Sequence, residues 1–99
     1  MKELKAIEQR LEEYKQQTIR FIDLAKEQME RADDFLKSVK GASATNIYLL
    51  YEYNKEYNKA LSYIDMVKSI NVFLLVDAVG VKGEVDLHNL FKEWTKRHK

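Results

Sequence analysis

From Leu4 to Val39 the apolar residues recur at Leu4, Ile7, Leu11, Tyr14, Thr18, Phe21, Ala25, Met29, Ala32, Leu36 and Val39. The steps alternate between three and four except for one extra four between Ala25 and Met29. That is a heptad seam with a single phase slip, and it predicts one long amphipathic helix. Before Thr18 only the narrow seam is apolar. After it Ile19, Ile22, Leu24 and Phe35 widen the stripe, as a bundle interior requires. Glu8 and Glu12 repel, whereas Glu12 with Gln16 and Glu27 with Arg31 are supporting i,i+4 pairs.

Lys40-Gly41-Ala42-Ser43 reads as a stop and restart, with Gly41 as C-cap and Ser43 or Thr45 as the next N-cap. So short a link returns the second helix antiparallel to the first. On that helix Leu49, Tyr53, Tyr57, Ala60, Ile64 and Val67 share one face, which is the expected core stripe. Tyr48, Tyr51, Lys55, Lys59, Ser62, Met66 and Phe73 fall on the opposite face. The segment Ile70 to Val76 is apolar all round and is read as the buried continuation of the helix; a break near Asn71 before a short strand is the alternative. Gly80-Val81-Lys82-Gly83 is read as a second loop, with Asp86 as N-cap of a short last helix carrying Leu87, Leu90, Phe91 and Trp94. The expected fold is therefore all-α and a single domain over 1–99. It comprises helices over about 3–40, 45–79 and 86–97, a long antiparallel hairpin closed by a short C-terminal helix.

This chain carries more apolar surface than one hairpin hides, so assembly of two copies into a helical bundle, as a homo-oligomer, is expected. With 99 residues the core is thin in any case. A formal net charge of +1 argues against general nucleic-acid binding and against an acidic membrane surface. The basic end, Lys92, Lys96, Arg97, His98 and Lys99, reads as a solvated helix terminus. No cysteine is present, which removes disulfides and thiolate chemistry. The charged N-terminus lacks the apolar core of a signal peptide, and no run approaches a membrane span, so a cytoplasmic location is expected.

Candidate chemistry is sparse. Ser43 and Ser62 lack a neighbouring base in sequence, Asp86-x-His88 lacks metal-ligand spacing, and Gly80-x-x-Gly83 lacks the rest of a phosphate loop. Glu12, Glu13, Glu27, Glu30, Asp33 and Asp34 read as a solvated face. No catalytic residue, metal or cofactor is expected. Five of the six tyrosines lie between Asn46 and Met66, and tyrosine supplies large contact area with a polar tip. Tyr48, Tyr51, Lys55, Asn58, Lys59, Tyr63, Met66, Phe73 and Trp94 are thus the candidate partner- or ligand-binding residues.

The leading expectation is a non-enzymatic helical interaction and regulatory protein, homodimeric, with a protein partner. An oligomeric binder that sequesters a small anionic ligand or nucleotide near Lys55 and Lys59 is the alternative. With its length, its hairpin and Val39-Lys40-Gly41 at the turn, the chain resembles the small helical-hairpin proteins of type VII secretion, and Phe73-x-x-x-Asp77 resembles a motif in their partner proteins. The resemblance implies a secretion partner. The chain departs from that family in having Val where its turn has Trp, and in carrying a third helix. Frequent Lys, Tyr, Asn and Ile fit a bacterial or phage genome.

Overall fold

The computed structural model describes residues 2–42 and 46–98, and over these the chain is helical in three elements. Helix α1 spans Lys2–Gly41, α2 spans Ile47–Lys68 and α3 spans Val72–Arg97. At 1.5 Å per residue α1 is about 60 Å long, which accounts for the 65 Å long axis of a molecule only 23 × 16 Å across. Both α2 and α3 pack on α1, the shared spine. The expected all-α fold, a hairpin and then a C-terminal helix, is present.

The wide part of the α1 stripe supplies the core. Ile22, Ala25, Met29 and Ala32 are buried against Ala60, Ile64 and Val67 of α2 and Leu75, Leu87, Phe91 and Trp94 of α3. Ala25, Ala32 and Ala60 have no exposed surface; their small side chains let the backbones approach. Glu12 accepts from Gln16 at 3.0 Å and Glu27 pairs with Arg31 at 2.9 Å, so both expected i,i+4 contacts form on the outer face.

Three boundaries differ from the sequence expectation. Ser43 and Thr45 lie outside the described residues, and the α2 N-cap is Asn46, whose Oδ1 accepts from the Leu49 N–H at 3.2 Å. The second helix does not run to residue 79. It ends at Lys68, where Ser69 Oγ donates to the Met66 carbonyl at 2.7 Å and the Ile70 N–H to the Val67 carbonyl at 3.1 Å. Asn71 then caps α3, accepting from the Phe73 N–H at 2.8 Å. Two short polar side chains thus satisfy the backbone groups that a break frees, and the chain resumes as helix rather than strand.

The third difference is at the glycines. Gly80-Val81-Lys82-Gly83 is no loop, and Asp86 is an interior helical residue rather than a cap, because α3 starts at Val72. Gly80 alone leaves the helical region, at φ 80° and ψ 167°, a conformation almost confined to glycine. One residue therefore bends α3 into an N-terminal segment, 72–79, and a C-terminal segment, 81–97.

Candidate interaction surfaces and the buried polar cluster

The first buried residue of α1 is Thr18, whose hydroxyl donates back to the Tyr14 carbonyl at 2.8 Å. From Lys2 to Gln17 every residue but half-buried Lys15 is exposed. This stretch, about 24 Å of helix, projects beyond the bundle as an arm. Its seam residues Leu4, Ile7, Leu11 and Tyr14 are each about half exposed. An isolated helix of this length is marginal in water, and a narrow heptad seam is the face one partner helix covers.

The tyrosine–lysine face of α2 is also open. Tyr48 is 69% exposed and lies one turn before Tyr51. Tyr51, Lys55, Asn58 and Lys59 line one shallow open groove together with Asn54 and Ser62. Lys59 Nζ lies 3.8 Å from a Glu56 carboxylate oxygen. Tyr63 is half-buried against the core and Met66 is exposed. Phe73, 82% exposed, belongs to α3 beyond the break, so the stripe expected to run from Tyr48 to Phe73 is divided between two helices.

Trp94 requires a correction. As a candidate contact residue it would have to face a partner, yet it is 0% exposed and sits in the core. Its indole N–H donates to Asp33 Oδ1 at 3.1 Å. The i, i+3, i+4, i+7 face of the last helix is what α3 buries on α1, so its largest side chain goes inward.

Trp94 belongs to a cluster that the sequence does not disclose. His98, expected in a solvated basic end, has a side chain with no exposed surface. Its Nε2 lies 2.5 Å from Asp33 Oδ1 and its Nδ1 lies 2.9 Å from the Tyr53 hydroxyl. Because Asp33 accepts, Nε2 carries the proton, and in the neutral ring Nδ1 accepts from Tyr53. The imidazole stacks on Trp94 at 4.1 Å between centroids, and Tyr57 and Tyr53 extend the stack at 5.5 to 5.9 Å. Burial first, then the neighbouring Tyr57 and Asp33, raises the Tyr53 pKa above 10.0. A tyrosine so held stays neutral and donates. The cluster thus ties α1, α2 and the last turn of α3 together. With the imidazole sealed from solvent, the arrangement is a fastening rather than an accessible acid–base pair.

Asp33 is not one of the solvated carboxylates that its sequence context suggests, and nothing local separates it from Asp34. The one available signal is the i,i+4 spacing of Trp94 and His98, which puts both rings on one helical face. Among the described residues no group of three or more His, Asp or Glu side chains is placed to hold a metal ion, and no helix is long and apolar enough to cross a membrane. Comparison of the chain with protein-family models, with curated proteins and with solved structures finds no match.

Proposed function

We propose that this chain is a non-enzymatic helical interaction protein, in which the bundle is the holder and the α1 arm is the docking helix. The observation that carries the reading is the exposed seam Leu4, Ile7, Leu11 and Tyr14 on a helix stretch that the rest of the bundle leaves uncovered. Its occupant is a helix with a matching narrow seam. In a homo-oligomer, that helix is the arm of a second copy.

Charge and steric fit set the direction of self-pairing. A parallel pair would place Glu3 of one copy beside Glu8 of the other and Arg10 beside Lys15, four like-charge contacts by symmetry. It would also force the two bundles side by side beyond Thr18, where α1 is already covered by α2 and α3. Antiparallel arms avoid the second problem and leave only Glu8 and Arg10 meeting their own copies.

The test is light scattering over a concentration series on the native chain and on an Ile7→Glu, Leu11→Glu variant, with melting monitored by circular dichroism. The expected result is a concentration-dependent assembly that the variant loses, while at monomeric dilution its bundle melts at the same temperature as the native one. A native chain that stays monomeric throughout removes self-association from the reading. A variant whose bundle melts earlier than the native chain at a dilution where both are monomeric shows that the arm packs intramolecularly and is no docking element.

A further inference from the structure

A second surface, lined by none of the arm-seam residues, has the chemistry of an anion site. Lys68 at the end of α2 faces His88, Asn89, Lys92, Thr95 and Lys96 of α3 across a cleft of about 550 Å³, open on one side. In a chain with 17 basic and 16 acidic residues, cations and carboxylates are expected to intermingle. Here no carboxylate is among the lining residues, and among the described residues none of the three lysines is ion-paired. His88 is engaged, with Nε2 2.9 Å from a Glu84 carboxylate oxygen at the margin. The Thr95 hydroxyl is spent on the Phe91 carbonyl at 2.8 Å. The lysines and the Asn89 amide remain as donors.

Lys92 and Lys96 lie one helical turn apart, about 6 Å along the axis, and Lys68 opposes them. We propose that this cleft binds the polyphosphate group of a small molecule. Three ammonium groups match three or four phosphate charges, whereas a single carboxylate or sulfate would leave the site with surplus positive charge. Lysine's compact charge suits phosphate oxygens presented from several directions. The α3 wall of the cleft, from His88 to Lys96, is only about 12 Å long, which suits a compact multivalent anion better than an extended chain. Beside it lies a smaller apolar crevice lined by Val67, Ile70, Val72, Leu75 and Phe91, sharing Lys68 and His88 at its rim. At about 90 Å³ the crevice has room for a small aliphatic group attached to the phosphates and not for a nucleotide base. The ligand class is therefore a small polyphosphorylated metabolite, recognised through its phosphates. The site differs from the Lys55 and Lys59 groove expected from sequence.

The experiment uses tripolyphosphate as probe on the full chain, with potassium chloride at matched ionic strength as control. The expected result is a rise in Tm of about 5 °C or more at a probe concentration tenfold above Kd, with amide shifts confined to residues 68 and 88–96. A Lys92→Gln, Lys96→Gln variant is expected to bind at least about tenfold more weakly with an unchanged basal Tm, both side chains being exposed. A Lys92→Arg, Lys96→Arg variant keeps the charge and retains binding, which separates loss of the site from loss of fold. An equal stabilisation by the chloride control, equal binding by the glutamine variant, or tighter binding of a polyglutamate peptide overturns the proposal.

Discussion

Asp33 and His98 stand 65 residues apart in the chain, yet Oδ1 of one and Nε2 of the other lie 2.5 Å apart. The same carboxylate oxygen accepts from Trp94. Removing it leaves two buried donors without partners, an effect worth about 2–4 kcal/mol in total. Asp33→Ala is expected to lower the urea midpoint accordingly, as read by the fluorescence of Trp94, the single tryptophan. Asp33→Asn keeps one acceptor oxygen and is expected to cost less. Equal stability of Asp33→Ala and native protein would mean that the cluster does not hold α3 in solution.

Tyr53 predicts a pH dependence. Its pKa is raised in the folded chain, chiefly by burial, so the folded state retains the proton after the unfolded state has released it. The resulting stabilisation is complete below pH 10 and is lost as pH rises through the folded value. Native protein is therefore expected to lose stability above pH 10 more steeply than Tyr53→Phe. Denaturant melts at pH 8 and pH 11 on both proteins measure the difference, and parallel curves would refute it.

The three glycines are expected to respond differently to alanine. Gly80→Ala meets no neighbour, since nothing lies within 4 Å of the added carbon, but its φ of 80° makes it costly by about 1–3 kcal/mol. At Gly83 the added carbon would lie 2.9 Å from Val79 Cβ, a collision across the bend. Gly41, at the end of α1 with open space around it, should tolerate alanine or gain up to about 1 kcal/mol. Thermal melts of the three variants rank them.

Leu4 and Ile64 test the division between arm and bundle. Ile64 is 1% exposed and Leu4 half exposed. Ile64→Ala is expected to cost about 2–5 kcal/mol, and Leu4→Ala less than about 0.5 kcal/mol in dilute solution. Hydrogen exchange should show amides 4–15 unprotected at low protein concentration and protected once the seam is covered. Protection of those amides in a dilute monomer would contradict the solitary arm.

The long first helix, its change from narrow seam to wide stripe at Thr18, its end at Gly41 and the buried face of α2 are all legible in the residues alone. Each depends on positions within four or so of one another, where periodicity and capping act. The break at 69–71 is half legible: the residues allow a break near Asn71, but the apolar run from Ile70 to Val76 suits a continuing helix, a strand and a new helix alike. Gly80 and Gly83 announce a change of direction, but a loop and a one-residue bend carry the same glycine signal. The pairing of Asp33 with Trp94, His98 and Tyr53 arises in the folded molecule and nowhere earlier. It depends on where α3 returns along α1, which the turn at 69–71 and the bend at Gly80 set together, and no local pattern around Asp33 or His98 records that path.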